Sequence, residues 1–160
     1  MITDALLRLS EEQAITATAF STNTIDLGQV DVVDPIAGTT VTRTRDVGMG
    51  RDLYVVFTVN ETFLTLTGLT FEIVQSANAN LSSPVSLVDT GQITLASGGL
   101  AAGKQVFLKI PPQFASQGAR YLGARYTVNG SNATAGKVTA DIVLDIQDGK
   151  KFYDSGFTVA

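Results

Sequence analysis

Residues 137–147 read Lys137-Val138-Thr139-Ala140-Asp141-Ile142-Val143-Leu144-Asp145-Ile146-Gln147. Every second side chain from Val138 to Ile146 is apolar, and most of the side chains between them are polar. Successive side chains of a β-strand point to opposite faces of the sheet, so this alternation predicts a strand with one face in a core and the other toward solvent. A strand of this kind is typical of an antiparallel sheet.

The same period of two recurs along most of the chain, and helical periodicity is nearly absent. Further strands are predicted at 53–60, 69–76, 85–89, 105–110 and 120–128, with weaker candidates at 14–20, 24–27 and 39–44. Turn-forming pairs such as Asp34-Pro35 and Asn129-Gly130 interrupt these runs. Eight to ten short strands separated by turns predict an all-β fold, a jelly-roll-like antiparallel β-sandwich in preference to a closed barrel.

The length of 160 residues suits a single domain. We expect the strands to form a core over 14–148, flanked by an extended N-terminal segment, 1–13, and a C-terminal tail, 149–160. Ser10-Glu11-Glu12-Gln13 matches a helix capping box. Because no apolar helix pattern follows it, the N-terminal segment is interpreted as loop.

The composition argues against most known types of catalytic and metal-binding site. The chain has no His and no Cys, which are the residues that most often ligate zinc or carry acid–base chemistry near neutral pH. Met1 is followed by Asp4 and Glu11 rather than by a basic segment and an apolar run, so we expect a protein made in a cytoplasm and without disulfides. No cofactor and no metal are predicted.

The charge and hydropathy indicate what the protein binds. The net charge is −4 with scattered basic residues, so no nucleic-acid partner is predicted. Arg120, Tyr121, Arg125 and Tyr126 resemble a stacking platform for single strands, but alternation divides them between two faces of one strand. No apolar run approaches a membrane span. Only 16% of the residues are charged and the mean hydropathy is +0.21, which favours burial against partner subunits, although a β-sandwich rich in Val, Thr and Ala would give similar values.

Carboxylates are the remaining candidates for catalysis. They fall in three groups: Asp31 with Asp34, Asp46 with Asp52, and Asp141 with Asp145 and Asp148. On one strand Asp141 and Asp145 would be about 13 Å apart, too far for a glycosidase pair. Asp31 and Asp34 could hold calcium with backbone carbonyls, but they lack the pattern of an EF-hand loop. We therefore predict that the protein is not an enzyme.

Both ends carry apolar side chains outside the predicted core. The N-terminal segment contains Leu6, Leu7 and Leu9, and the glycine-flanked tail contains Phe152, Tyr153 and Phe157. Rings in a tail dock either on their own domain or on a neighbouring subunit. We expect these six residues to contact other subunits rather than to remain exposed.

Four segments resemble the small jelly-roll cement (decoration) proteins of tailed-phage capsids. They are Met1-Ile2-Thr3-Asp4-Ala5-Leu6-Leu7, Ser21-Thr22-Asn23-Thr24-Ile25-Asp26-Leu27-Gly28, Arg120-Tyr121-Leu122-Gly123-Ala124-Arg125-Tyr126, and the block from Asp145-Ile146-Gln147-Asp148 to Phe157. The resemblance implies a homo-oligomer, with a dimer as the expected form, on the outside of the virion, where it ties neighbouring major capsid protein subunits together. The six apolar residues at the two ends are then expected to contact subunits or the capsid. We expect an obligate oligomer held by an apolar sheet face or an exchanged end segment.

Two other functions remain open at this stage. A carbohydrate- or receptor-binding jelly roll of a phage particle would share the fold, and Tyr54, Tyr121 or Tyr126 could stack on a sugar. The absence of Trp argues against this alternative. A β-sandwich hydrolase has only the scattered carboxylates in its favour.

Overall fold

A computed structural model describes residues 3–45, 52–111 and 119–146. In these ranges the strands are, in chain order, β1 Arg8–Ala14, β2 Ala19–Phe20, β3 Ile25–Asp26, β4 Gln29–Val33, β5 Thr40–Thr44, β6 Tyr54–Leu64, β7 Gly68–Ser76, β8 Val85–Asp89, β9 Ile93–Thr94, β10 Gln105–Lys109, β11 Tyr121–Asn129 and β12 Ala135–Val143. Two short 3-10 helices cover Ala5–Leu7 and Leu95–Ser97.

The strands form two antiparallel sheets and a separate hairpin. Sheet A has the order β1-β12-β6-β10, and sheet B has the order β2-β11-β7-β8, with β3 also pairing β11 and β9 also pairing β7. The all-β antiparallel sandwich predicted from the alternation is confirmed, and the strand order fits a jelly roll.

Sequence neighbours repeatedly cross from one sheet to the other. Strands β6 and β7 are consecutive but lie in sheets A and B, and so do β11 and β12. Asn129-Gly130 therefore does not close a two-residue hairpin, because the strands on either side of it belong to opposite sheets. The connection at residues 130–134 instead carries the chain from sheet B to sheet A.

The core lies between the two sheets around three aromatic rings. Phe57 of sheet A packs against Phe71 and Tyr126 of sheet B, with ring centroids 5.0 and 6.1 Å away. Tyr126 meets both phenylalanine rings edge-on, the arrangement that ring quadrupoles favour. All three side chains are fully buried.

The predicted loop at the N-terminus is wrong from Arg8 onward. Residues 8–14 form β1, which pairs β12 in register Arg8 with Asp141 and Ala14 with Lys137. The polar run was misleading because the strand is irregular: its register shifts twice, and Glu12 has a φ of 42°. The core therefore begins at Leu9, which is fully buried.

A buried hydroxyl pair explains why the polar Ser10 lies inside the sandwich. The Ser10 Oγ donates to Gln13 Oε1 at 2.7 Å and lies 2.7 Å from the hydroxyl of Tyr126. Since the Ser10 proton is used on Gln13, the Tyr126 hydroxyl donates to Ser10. This bond links β1 of sheet A to β11 of sheet B across the core.

The alternation that predicts β12 is confirmed from Val138 to Ile142 and ends there. Val138, Ala140 and Ile142 are buried on the core side. The strand stops at Val143, so Leu144 and Asp145 lie in a bend beyond it, and the 13 Å spacing does not apply. Asp141 faces outward but is nearly buried, because Arg8 of β1 reaches it with Nε 2.9 Å from Oδ1.

Among the described strands, β4 and β5 pair only with each other, in register Val32 with Val41 and Val30 with Arg43. Nine of the ten residues are exposed, with Thr44 intermediate, so the hairpin projects from the sandwich. The Asp34-Pro35 turn is confirmed: the Asp34 backbone N–H donates to the Thr39 carbonyl, and the Asp34 side chain accepts from the N–H groups of Ile36 and Ala37. A two-stranded sheet is marginal alone, which makes this hairpin a candidate for a partner.

Candidate interaction surfaces

The carboxylates singled out in the sequence do not converge. Asp31 accepts from the Thr42 hydroxyl at 2.6 Å, Asp52 pairs with Lys109 at 2.7 Å, and Asp141 pairs with Arg8. Asp46 and Asp148 lie outside the described residues. Across residues 3–45, 52–111 and 119–146, no group of three or more His, Cys, Asp or Glu side chains is placed to hold a metal ion.

Asp34 is used locally, in its own turn. Two backbone N–H donors, from Ile36 at 2.8 Å and Ala37 at 3.2 Å, stabilise its charged form and lower the pKa of its carboxyl below the usual value. The carboxylate is therefore ionised at neutral pH and lies at the tip of the β4–β5 hairpin.

Leucines collect at one end of sheet A, where β1 begins and the antiparallel β12 ends. The 3-10 helix Ala5–Leu7 packs beside β12, and this end of the sheet carries Leu6, Leu7 and Leu144, which we call the leucine surface. Leu6 is 84% exposed and Leu144 is 55% exposed. Exposed leucines at the same end of one sheet make this end a candidate contact surface for another molecule.

The other predicted contact residues have different positions. Leu9 is fully buried in the protein's own core, so its assignment to subunit or capsid contacts is wrong. It follows Arg8, whose side chain meets Asp141 on the outer side of sheet A, and it packs in the core cluster between the sheets. Phe152, Tyr153 and Phe157 lie outside the described residues.

The hairpin presents a second apolar surface that the sequence reasoning missed. Val30, Val32 and Val41 lie on one face, with Arg43 beside Val30, and the three valines are 40–44% exposed. We call this the valine face. A shallow depression of about 270 Å³ on the hairpin is lined by Val32, Val33, Asp34, Pro35, Val41 and Arg43. The signal was present as alternating valines around Asp34-Pro35, but alternation alone does not show whether a face is covered.

A polar depression of about 260 Å³ lies on the outer face of sheet B. Thr70, Glu72, Asp89, Gly91, Arg125 and Thr127 line it. Arg125 Nε is 2.6 Å from the buried Glu72 Oε2, but its N–H does not point at that oxygen, so the contact is an ion pair without a well-formed hydrogen bond. The buried Thr127 hydroxyl has no hydrogen-bond partner within the described part of the chain.

The tyrosines considered for sugar stacking are not brought together. Tyr126 is buried in the core, Tyr54 lies in sheet A, and Tyr121 lies in sheet B. The Arg120 guanidinium stacks 5.3 Å from the centre of the Tyr121 ring and makes two 2.6 Å bonds to Asp26. Arg120 and the Gly28 N–H lower the pKa of Asp26 below its usual value.

No helix in the described ranges is long and apolar enough to cross a membrane.

These features define an all-β sandwich with exposed apolar surfaces on two separate elements. A family model, Bbp16, matches residues 9–142, so the chain belongs to the Bbp16 family, a phage-type protein family. The matched range runs from Leu9 of β1 to Ile142 of β12 and includes the whole hairpin. No curated protein matches the chain.

Proposed function

We propose that the chain is a structural virion protein that binds the outside of a phage capsid and cements neighbouring major capsid protein subunits. The phage-type family and the sequence resemblance to cement proteins support this proposal. The observation that carries it is the pair of exposed apolar surfaces, because a protein that ties two neighbours together needs at least two places to bind.

The two surfaces belong to different parts of the fold. The leucine surface lies at the end of sheet A, and the valine face lies on a hairpin that pairs with neither sheet. Each surface is small, so each contact is weak. A repeating lattice offers many such contacts at once, and simultaneous engagement raises the overall strength of attachment without tight single sites.

The proposal is tested by sedimenting purified protein with capsids of the encoding phage prepared without it. Leu144→Asp places a charge on the leucine surface and should weaken capsid binding roughly tenfold or more. Leu64→Asp is the matched control, because Leu64 is 51% exposed and lies at the opposite end of sheet A, beside Ala135.

The two results have separate meanings. Wild-type protein that fails to bind capsids would contradict the proposed function itself. Equal binding by Leu144→Asp and wild type would show only that the leucine surface is not the contact. Phe152, Tyr153 and Phe157 remain predicted contacts, tested by their triple Ala variant in the same assay.

A carbohydrate- or receptor-binding module remains the second candidate, favoured by one observation. The depression on sheet B combines an Arg–Glu pair, Asp89 and the Thr127 hydroxyl, which no described residue hydrogen-bonds. Such polar groups can bond sugar hydroxyls. A glycan array run with wild type and Glu72→Gln distinguishes this candidate: specific glycan binding that the variant loses would favour it over cementing.

A further inference from the structure

We propose that the β4–β5 hairpin is a self-association surface, on which the valine faces of two copies pack about a two-fold axis with Arg43 of each copy against Asp34 of the other. The proposal deepens the proposed function by assigning how two copies meet. It concerns the free protein, so it can be tested without a capsid.

The first argument is the composition of the two hairpin faces. Alternation places Val30, Val32 and Val41 on one side, while the other side carries Gln29, Asp31, Val33 and the three threonines of β5. Three of the four valines of the hairpin therefore share one side, and no described residue covers that side fully. Packing that side against another sheet removes the exposed valines from water and supplies the layer that a two-stranded sheet lacks.

The second argument is the distribution of charge around the valine face. Arg43 lies at the base of the hairpin opposite Val30, and within the described residues its guanidinium has no carboxylate within ion-pair distance. Asp34 lies at the tip, four residues beyond Val30, or about 13 Å along the strand. A positive end and a negative end thus flank an apolar centre.

This distribution is self-complementary. A two-fold axis that crosses the strands at the Val32–Val41 pair reverses the strand direction of the second copy. The tip of each hairpin then lies over the base of the other, so both Arg43–Asp34 contacts form together. An isologous interface requires such a pattern, in which one patch supplies both halves of each contact.

The size of the face sets the strength of association. Two five-residue strands cover a footprint of about 17 by 10 Å, well below the roughly 800 Å² per partner of a stable complex. The hairpin alone is too small for the obligate oligomer that the composition favoured. Association of the free protein should therefore be weak and dependent on concentration.

Charge reversal provides the test. Arg43→Glu places two carboxylates at each contact, and Asp34→Lys places two cations there, so each single variant should associate at least fivefold more weakly than wild type. A 1:1 mixture of the two variants, and the double variant, both recreate opposite charges at each contact. Sedimentation velocity from about 10 µM to 1 mM, across the range of weak complexes, should show association restored in both.

Recovery of association by the double variant shows that the single substitutions have not simply disrupted the hairpin structure. Asp34→Lys removes the side-chain bonds of the turn, but the same loss is present in the double variant. Val32→Ser should also weaken association, whereas Val85→Ser should not, because Val85 is equally exposed at 42% but lies on β8.

Three results would overturn the proposal: wild type that stays monomeric throughout, single variants that associate as well as wild type, or a mixture and double variant that show no restoration. If the valine face instead binds capsid protein, the free protein is monomeric and Val32→Ser loses capsid binding only. Wild type that dimerises as expected but binds no capsid would contradict the proposed function and leave this inference standing.

Discussion

At the scale of single residues, the buried hydrogen bond between the Ser10 and Tyr126 hydroxyls joins the two sheets. Sequence patterns correctly separate Tyr126 from Tyr121 by alternation but do not predict the bond, because Ser10 and Tyr126 are 116 positions apart. A serine in a polar run, Ser10-Glu11-Glu12-Gln13, has no local signal for burial. Only the approach of the two sheets brings the hydroxyls together.

Replacing Tyr126 with Phe tests this bond. The ring is retained, while Ser10 loses one donor, so the free energy of unfolding should fall by about 0.5–1.5 kcal/mol. Urea denaturation measures the change. Tyr121→Phe is the control, because that half-exposed ring makes no side-chain hydrogen bond in the described structure and should change stability by less than about 0.5 kcal/mol. Equal effects of the two substitutions would contradict the assignment.

The Tyr126 hydroxyl should also make the free energy of unfolding depend on pH. Burial raises the pKa of Tyr126 far above its ordinary value, because the phenolate would lose its hydration in the core. The unfolded chain ionises above about pH 10 while the native hydroxyl stays protonated, so the unfolded state binds fewer protons. Stability present below pH 10 is therefore lost above it, by up to about 1.4 kcal/mol per pH unit. In Tyr126→Phe, the loss of unfolding free energy per pH unit above pH 10 should be smaller by up to about 1.4 kcal/mol. An unchanged loss per pH unit would show that Tyr126 ionises in the folded protein.

At the scale of elements, the sequence predicts strands where apolar alternation is regular and fails where it is broken. Strands β6, β7, β8, β10 and β11 lie close to their predicted ranges. Strand β1 was missed because its bulges interrupt the period of two, and β4 was missed because its valines are not core. Burial against a neighbour, rather than local preference, decides both cases.

Strand β1 yields the second stability prediction. Leu9 and Leu6 were assigned the same role from sequence, but Leu9 is enclosed by the two sheets and Leu6 is exposed. Leu9→Ala should cost about 2–5 kcal/mol of unfolding free energy, because it leaves a cavity in the core. Leu6→Ala should change it by less than about 0.5 kcal/mol. Thermal and urea denaturation of both variants measure the difference. Equal unfolding free energies of Leu9→Ala and Leu6→Ala would contradict the placement of β1.

The candidate surfaces were only partly predictable at this scale. Leu6 and Leu7 were expected as contacts from their apolar character in a terminal segment, and the structure leaves both exposed. Leu144 was assigned to the core face of a longer strand, yet β12 ends one residue before it. Where a strand ends depends on the length of its pairing partner: β6 begins at Tyr54, opposite Val143.

At the scale of the whole molecule, fold class followed from periodicity, but strand order did not. The first and last described strands, β1 and β12, are neighbours in sheet A, and consecutive strands repeatedly change sheets. Hairpins and sheet-crossing turns use the same residues, as Asn129-Gly130 shows. The distinction depends on pairing between distant parts of the chain, which one sequence does not display.

The molecule exposes apolar surfaces on two separate elements, the end of sheet A and the hairpin. The family is phage-type, and we propose that these surfaces attach the protein to a capsid lattice. Under this proposal the free protein associates weakly through the hairpin, and many simultaneous contacts with the lattice would supply the strength of attachment.

Cryo-electron microscopy of capsids from the encoding phage, with and without the purified protein added back, tests cementing most directly. We expect added protein to give density for the sandwich on the outer capsid surface, with each sandwich or pair of sandwiches contacting at least two major capsid protein subunits. Density confined to the tail or to the capsid interior, or an outer surface that stays bare at saturating protein, would contradict the account.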